Sequence, residues 1–323
     1  MTLRIGFIGV GGIAQHHMRQ LKEIPEAQIV AVYDVNREAA EKTAADLGAK
    51  LADSADQVLD RQAVDAVYIC VPQFARGDLE VKAAQRGIPF FVEKPLGVDL
   101  ETVERKAAII RESGVIHAVG YVLRYYDTVQ EAKAYLSGKT YYMVQATRLG
   151  GSHHSKWWKQ LDLSGGNLVD AGTHQVDMIR FIAGEFKDVF ANFGQTSIRQ
   201  LDPDATIYDS GSLSFTMKSG AVGNMIESCM SKFFGGSEVR VWGSDFFVEL
   251  SGNGKHLTIK EPDRTVTKSS ERNASLEQAK AFVRAVSTGS QEPILCNYDD
   301  GLKTLAFTLG ANRSGVERRV IEL

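Results

Sequence analysis

The sequence predicts an α/β protein that begins with a doubly wound parallel sheet. Short, almost wholly apolar runs alternate with helical segments through the first third of the chain. The first run, Leu3–Gly9, leads directly into a glycine-rich turn and a helix, and a carboxylate, Asp34, ends the second run. Apolar strands that alternate with helices indicate a sheet buried on both faces and connected by right-handed crossovers.

The elements of this first domain follow one another in a regular order. Each strand is a short apolar run, and each helix is bounded by glycine, proline or a polar residue. The predicted strands are Leu3–Gly9, Gln28–Asp34, Ala66–Val71, Pro89–Val92 and Val115–Gly120. The predicted helices are Gly12–Ile24, Arg37–Leu47, Gly77–Arg86 and Leu100–Ser113. Together they predict a first domain over residues 1–121.

The first strand–helix junction carries the pattern of a dinucleotide-binding turn, G-x-G-x-x-A, beginning at Gly9. Gly9 permits a tight turn, Gly11 lets the backbone approach a pyrophosphate, and Ala14 lets the helix pack closely on the strand. Asp34 follows Ala14 by 20 residues, where a carboxylate can bind the ribose hydroxyls of NAD and would repel the 2′-phosphate of NADP. The sequence therefore predicts a Rossmann domain that binds NAD. The nearby Arg37 leaves open the use of both NAD and NADP.

Composition and charge narrow the class of protein. The chain of 323 residues has 44% hydrophobic and 24% charged residues and a formal net charge of −3, which disfavours nucleic acid as a partner. Three separated cysteines are expected to be buried free thiols in a reducing compartment. The N-terminal run resembles a strand rather than a signal peptide, and no window suggests a membrane span, so we expect a cytoplasmic protein.

A second group of chemically useful residues follows the glycine pair Gly165–Gly166. A helix is predicted from Leu168 to Ala183, and its four-residue spacing would place Asp170 beside His174. A carboxylate can orient an imidazole and support proton exchange near neutral pH. Neither this segment nor the histidine pair at 153–154 shows the ligand set of a zinc site, so no metal is predicted.

Lys94 ends the fourth predicted strand, where a side chain can point into the crevice at the carboxyl edge of a parallel sheet. Taken alone, this lysine could be an ordinary exposed charge. An ammonium group near a hydroxyl undergoing oxidation would instead stabilise the developing alkoxide.

Three motifs in this order and spacing resemble the glucose–fructose oxidoreductase / inositol dehydrogenase / rhizopine-catabolism dehydrogenase family. They are the nucleotide fingerprint, Glu93-Lys94-Pro95, and the Gly165–His174 segment, and the resemblance covers the whole chain. It implies a second α/β domain, residues 122–323, with a large, mostly antiparallel open sheet. It also implies hydride transfer between a nicotinamide and a hydroxyl carbon of a sugar, cyclitol or related polyol.

The resemblance assigns roles to single residues. Lys94 matches the lysine that binds the reacting hydroxyl, His174 the general acid/base, and Asp170 the acid that assists it. The expected cofactor contacts are Gly9, Gly11, Gly12, Ile13, Ala14, Asp34, Asn36, Arg37, Pro72, Gln73, Glu93 and Lys94. The expected substrate contacts are Lys94, Arg124, Trp157, Asp170 and His174.

The chain also departs from the family pattern. Gln73 replaces an asparagine that often follows Pro72, and Arg76 stands where histidine is frequent. Of a paired arginine after the last Rossmann strand only Arg124 remains, so a substrate contact is lost there. In the loop 150–160, Trp157 or Trp158 is expected near substrate, but not both, and the alternative is a surface loop with a tryptophan docked into the core.

The second domain is predicted from alternating patterns and turn signals. Its expected strands are Tyr141–Leu149, Asp188–Thr196, Gly211–Met217, Ala221–Met230, Glu238–Gly243, Phe246–Leu250 and His256–Lys260. Further helices are expected at Val129–Leu136, Leu276–Val286 and Leu302–Gly315. Phe215, Met225 and Val241 are expected on a sheet face free of helices, which would be an exposed apolar area in a monomer. The family resemblance implies that this face pairs with another subunit, giving a homodimer or homotetramer.

Two alternative functions stay open on the same scaffold. One is a glycoside-cleaving enzyme that oxidises C3 of a sugar transiently with bound NAD. The other is a non-catalytic regulator that binds NAD, which the presence of Lys94, Asp170 and His174 disfavours.

Overall fold

The computed structural model describes residues 2–323, which form two compact units. The first unit comprises the chain up to Gly97, Glu101–Val122 and Asn273–Leu302. The second comprises Val98–Leu100, Leu123–Arg272 and Lys303–Leu323. The predicted division into 1–121 and 122–323 therefore differs from the structure chiefly at residues 273–302, which return to the first unit.

The first unit begins as an alternation of strands and helices. Its elements, in chain order, are β1 (Leu3–Ile8), α1 (Gly12–Lys22), β2 (Ala27–Tyr33), α2 (Arg37–Leu47), β3 (Lys50–Leu51), α3 (Ala55–Val58), β4 (Ala66–Ile69), α4 (Leu79–Gln85), β5 (Phe90–Val92), α5 (Leu100–Ser113) and β6 (His117–Val119). The strands form a six-stranded sheet in the order β3-β2-β1-β4-β5-β6, and every pairing is parallel. The predicted doubly wound parallel sheet is confirmed.

The second unit is built mainly on strands. Its elements are α6 (Asp127–Leu136), β7 (Tyr141–Leu149), α7 (Leu161–Ser164), α8 (Thr173–Ala183), β8 (Phe186–Gly194), α9 (Ile198–Leu201), β9 (Ser210–Met217), β10 (Val222–Ser228), β11 (Gly236–Gly243), β12 (Phe247–Ser251), β13 (His256–Glu261) and β14 (Arg264–Ser269). The chain closes with α10 (Ala274–Thr288), α11 (Tyr298–Glu317) and β15 (Ile321–Glu322).

A nine-stranded sheet forms the centre of the second unit, in the order β14-β13-β12-β11-β7-β10-β9-β8-β15. Only β7 and β10 pair in parallel, and the other neighbours are antiparallel. The implied large, mostly antiparallel sheet is confirmed. Strand β14 was not predicted because all six of its residues are exposed, so its sequence lacks the alternation that marks a half-buried strand.

The apolar core of the first unit lies on both sides of its parallel sheet. Tyr68 on β4 stacks between Phe7 and Phe91, with ring centroids 4.9 and 4.7 Å away. Phe282 of α10 meets the Tyr68 ring edge-on at 5.4 Å. Helix α10 therefore completes the packing on one face, although it follows the second unit's strands in the sequence.

The two faces of the nine-stranded sheet differ from the expectation. Phe215, Met225 and Val241 are buried, on the face that packs against helices, so their predicted placement on a helix-free face is wrong. The strand assignments were nearly right, but the sequence pattern alone did not identify which side the helices cover. The opposite face exposes Val222 and Ile226, which are 56% and 45% accessible, among polar neighbours.

Candidate active site

The dinucleotide turn of the first unit has the geometry that its glycines predict. Gly9 has a φ of 92°, and a Cβ there would lie 2.5 Å from the carbonyl oxygen of Cys70. Gly11 and Gly12 are exposed, and a Cβ on either would meet no atom within 4 Å. No side chain caps the amide groups at the start of α1. Open backbone donors at a helix N-terminus suit a pyrophosphate, so these residues fit a dinucleotide.

Ile13 and Ala14 occupy opposite environments on the first turn of α1. Ile13 is exposed, whereas Ala14 is fully buried against the sheet. A larger side chain at Ala14 would push the helix away from β1. The packing role that the fingerprint assigns to this alanine therefore agrees with the structure.

Asp34 is held rigidly just after β2. One carboxylate oxygen accepts the Val10 amide at 2.8 Å, and the other accepts the Asn36 amide at 2.8 Å. Asn36 itself caps α2 through the Ala39 amide. The half-buried carboxylate is thus fixed beside the glycine turn. In this position it can accept hydrogen bonds from the ribose hydroxyls of a dinucleotide.

Arg37 does not extend freely from the start of α2. Its Nη1 donates to Asp53 at 2.7 Å and its Nε to Glu41 at 3.0 Å. These bonds raise the pKa of Arg37 and lower that of Asp53. The guanidinium that could favour a 2′-phosphate already has two carboxylate partners, which is consistent with a preference for NAD.

Lys94 follows β5 and is half-buried, next to a buried carboxylate. The Glu93 side chain contacts the His17 ring at 2.6 Å and accepts the Lys94 amide at 3.1 Å. A Cβ at Gly120 would lie 2.8 Å from both Glu93 carboxylate oxygens, so a larger residue there would displace this carboxylate. Sequence reasoning missed His17, although its position one turn after Ala14 on the inner side of α1 was a usable signal.

Arg76, which departs from the family pattern, connects two loops at the carboxyl edge of the parallel sheet. The buried guanidinium donates from Nε to the Val71 carbonyl at 3.2 Å and from Nη1 to the Pro95 carbonyl at 2.9 Å. Pro72 and Gln73 lie half-buried between these anchors, with Gln73 opening a short 3₁₀ turn. Arg76 therefore fixes both the loop expected to line the cofactor and the segment that follows Lys94.

In the second unit, the Gly165–Gly166 pair has positive φ values of 75° and 83°. A Cβ on Gly165 would lie 2.7 Å from the Val169 side chain, so the chain turns too tightly there for any other residue. The next five residues, Leu168–Gly172, form a π-helical turn, and α8 begins only at Thr173. The single helix predicted from Leu168 is thus corrected to two segments with different hydrogen-bonding patterns.

Asp170 and His174 are half-buried within a run of mostly buried residues. Asp170 lies on the π-helical turn, and His174 lies in the first turn of α8. The indole Nε1 of Trp158 donates a hydrogen bond to Asp170 Oδ2 at 2.9 Å. The π-helical turn and the start of α8 therefore present a carboxylate and an imidazole from an otherwise packed segment, and a buried tryptophan holds the carboxylate.

The two tryptophans of the loop 150–160 have different environments. Trp158 is 2% accessible and packs in a small core with Ile198, Ile207 and Cys229. Trp157 is half-buried, and the ring of His153 lies 6.3 Å from its ring. Trp158 is the tryptophan docked into the core, which leaves Trp157 as the more accessible of the pair.

A second carboxyl group is hydrogen-bonded to the residue that precedes the π-helical turn. Glu227 on β10 is 2% accessible and accepts a hydrogen bond from the side-chain amide of Asn167, the residue before the π-helical turn. Burial raises the pKa of Glu227 to about 7, against the opposing effects of Asn167 and the charge of Arg148. The sequence offered no signal for this residue, because its importance comes from burial on the helix-covered face of the sheet.

Arg124 has an internal partner in place of the expected substrate contact. The side chain is 3% accessible, and Nε and Nη2 donate to the two carboxylate oxygens of Asp177 at 2.9 and 2.7 Å. Asp177 also accepts the Thr304 hydroxyl at 3.1 Å. A bidentate buried pair of this kind organises α8, so we do not retain Arg124 among the substrate contacts.

Within residues 2–323, no cluster of three or more His, Cys, Asp or Glu side chains is arranged to hold a metal ion. In the same part of the chain, every helix is too short or too polar to cross a bilayer.

The chain is similar in sequence to two inositol dehydrogenases and similar in fold to a levoglucosan dehydrogenase. Scyllo-inositol 2-dehydrogenase (NAD(+)) of Bacillus subtilis is 32% identical over 188 residues, 56% of this chain and 54% of that protein. Myo-inositol 2-dehydrogenase of Thermotoga maritima is 27% identical over 99% of this chain and 98% of its own length. The structure of levoglucosan dehydrogenase in complex with NADH and levoglucosan superposes with a TM-score of 0.90 at 18% identity, covering 100% and 99% of the two chains. That structural likeness supports the fold alone.

Two family models match successive parts of the chain. Residues 3–121 match an oxidoreductase family with an NAD-binding Rossmann fold, and residues 138–248 match the C-terminal domain of the same family. The first match contains the glycine turn, Asp34 and Lys94, and the second contains Asp170 and His174. The chain belongs to the Gfo/Idh/MocA family of NAD-binding oxidoreductases.

Proposed function

We propose that the protein transfers a hydride between NAD and a secondary hydroxyl or carbonyl carbon of a sugar, cyclitol or related polyol. The observation that carries this proposal is the presentation of Asp170 and His174 from two consecutive, mostly buried segments in a chain that also has an NAD-binding fingerprint. The relatives named inositol dehydrogenases favour a cyclitol as substrate.

Bound NAD supplies the acceptor for the hydride that leaves the carbinol carbon. Gly11, Gly12 and Ile13 would hold its pyrophosphate through backbone amides, and Asp34 would accept its ribose hydroxyls. Pro72 and Gln73 are proposed to line the same site.

The chain's own side chains are assigned to the proton and the oxygen. His174 removes the proton from the hydroxyl oxygen in the oxidation direction and returns it in the reverse direction. Asp170 orients the imidazole and stabilises its charged form. Lys94 stabilises the developing alkoxide through its ammonium group. Trp157 is the proposed apolar contact for the ring face of the substrate.

A screen of inositols, aldoses and acyclic polyols with NAD and NADP, followed by nicotinamide absorbance, tests the reaction. We expect NADH formation with at least one cyclic polyol and weaker turnover with NADP. Cleavage of a glycoside without net NADH would instead identify the glycoside-cleaving alternative. Binding of NAD without turnover of any compound would favour the regulator.

The variant Lys94→Ala tests the site assignment. Loss of the ammonium group should lower kcat by about 100-fold or more, because alkoxide stabilisation is lost in the transition state. The dissociation constant for NAD should stay within about twofold, since the fingerprint residues are unchanged. Unchanged turnover in a folded K94A protein would contradict the role of Lys94.

We also propose a cytoplasmic homodimer or homotetramer that associates through the nine-stranded sheet. The exposed Val222 and Ile226 on its open face support this assembly, and three buried free cysteines fit a reducing compartment. Light scattering of the purified protein measures the oligomeric state, and a charged substitution at Ile226 should then favour monomers.

A further inference from the structure

We propose that Trp158 is a positioning residue that fixes the carboxylate of Asp170 for the reaction. The role rests on the proposed function, because it gives the acid of the Asp170–His174 pair its orientation. The indole Nε1 donates to Asp170 Oδ2 at 2.9 Å, which is a normal length for a bond from N–H to a carboxylate. Trp158 does not need to touch substrate for this role.

The indole is a suitable group for holding a carboxylate that must stay an acceptor. Its single N–H donates and cannot accept, so it offers no site for a proton from the acid. Histidine, serine or a water molecule in the same place could act as donor or acceptor and could exchange protons. The indole therefore fixes the orientation of Asp170 Oδ2 and takes no part in proton transfer.

The position of Trp158 is itself fixed by its surroundings. The ring packs with Ile198, Ala205, Ile207 and Cys229 in a small core separate from the main one. The main chain that follows the indole is bonded to one neighbouring segment. The Lys159 carbonyl accepts the Thr206 amide at 2.9 Å, and the Leu161 amide donates to the Thr206 hydroxyl at 2.7 Å. An anchored donor restricts the carboxylate more than a flexible surface side chain could.

The turn that carries Asp170 makes such a restraint useful. Leu168–Gly172 is π-helical, so its side chains are not aligned by the regular spacing of an α-helix. Asp170 is also one of the few partly exposed residues in a buried run, and exposed carboxylates sample several rotamers. The hydrogen bond from Trp158 selects one of these rotamers before substrate binds, which lowers the cost of reaching the reactive arrangement.

The experiment compares Trp158→Phe with wild type and with Trp242→Phe, a tryptophan on β11 outside the site. Phenylalanine keeps an aromatic ring in the small core and removes the donor, although its ring is smaller than the indole. We expect W158F to lower kcat about tenfold or more, as for a bond to a charged group, with a smaller change in KM. The dissociation constant for NAD should stay within about twofold, and W242F should keep wild-type kcat.

A double-mutant cycle with Asp170→Asn separates positioning from a general structural role. If Trp158 acts through Asp170, adding W158F to D170N should change kcat by less than about twofold, because the restrained group is already altered. A structural role would lower kcat by the same factor in both backgrounds. Equal factors, or a W158F kcat within twofold of wild type, would overturn the proposal.

A spectroscopic arm needs neither turnover nor a folded W158F protein. The chain has three tryptophans and so gives three indole N–H resonances in ¹⁵N-labelled protein. The Trp158 resonance is assigned by elimination with W157F and W242F. It should move in D170N while the other two keep their positions, and an unmoved resonance would overturn the contact. An inactive wild type would refute the proposed function together with this role, whereas an active wild type with an insensitive W158F would refute this role alone.

Discussion

Replacing Glu227 with glutamine should change how the stability of the second unit depends on pH. The carboxyl group is buried on β10, and its pKa is raised from 4.5 to about 7 by burial. Glutamine has nearly the same shape and can still accept the hydrogen bond from Asn167. The substitution therefore removes the ionisable group with little change in packing.

The size and sign of the effect follow from the two pKa values. Below about pH 4.5 the Glu227 carboxyl is neutral in the folded and the unfolded chain, and its contribution to stability is fully present. Above about pH 4.5 the unfolded chain loses this proton, whereas the folded protein keeps it until about pH 7, so the stability that Glu227 contributes falls across this range. The difference from 4.5 to about 7 corresponds to about 3 kcal/mol of stability lost over this range. E227Q lacks that loss.

Urea unfolding at pH 5 and pH 8, followed by tryptophan fluorescence, measures the effect. All three tryptophans, Trp157, Trp158 and Trp242, lie in the same unit as Glu227, so the signal reports its unfolding. The free energy of unfolding of E227Q minus that of wild type should increase by about 2–3 kcal/mol from pH 5 to pH 8, because only wild type loses stability over this range. A difference that is the same at both pH values would refute the reasoning, because it would mean that Glu227 does not titrate in this range.

Three further substitutions test the other buried or fixed charges. Asp34→Asn should weaken NAD binding about tenfold and reduce the ratio of NAD affinity to NADP affinity. Titration with both nucleotides measures this ratio, and an unchanged ratio would contradict the role of Asp34. His17→Phe removes the hydrogen bond between the ring and the buried Glu93 carboxylate and should lower stability by about 3 kcal/mol, so a Tm equal to wild type would contradict the pairing. Arg124→Met should destabilise the fold by a similar amount, about 3 kcal/mol, and the double variant with Asp177→Leu should recover much of it, since no buried charge is then left alone.

The sequence predicted those parts of the fold that depend on local pattern. The strands of the first unit are continuous apolar runs. The glycines of the turn beginning at Gly9 and a distant carboxylate independently indicate the same dinucleotide site. The same reasoning placed Asp34 correctly at the end of β2, next to the Val10 amide. Local chemistry and global fold point to one answer at these positions.

The parts that were missed depend on contacts between distant segments. The bond from Trp158 to Asp170 joins residues 12 apart through a loop whose path the sequence does not reveal. Arg124 has the charge of a substrate contact, and only its burial against Asp177 shows that its charge is already compensated. Strand pattern located Met225 on β10, but the face on which it lies depends on where α8 and α11 pack.

The return of residues 273–302 to the first unit has a consequence for biosynthesis. Phe282 packs against Tyr68 and Phe91 at the centre of the nucleotide-binding unit, yet it emerges from the ribosome after every strand of the second unit up to β14. The part of that unit made earlier must wait with an apolar face uncovered while about 150 intervening residues are translated, roughly 10–30 seconds at ordinary elongation rates. The order of synthesis is therefore not the order of completion, and a chain released before α10 would expose the surface that a chaperone recognises.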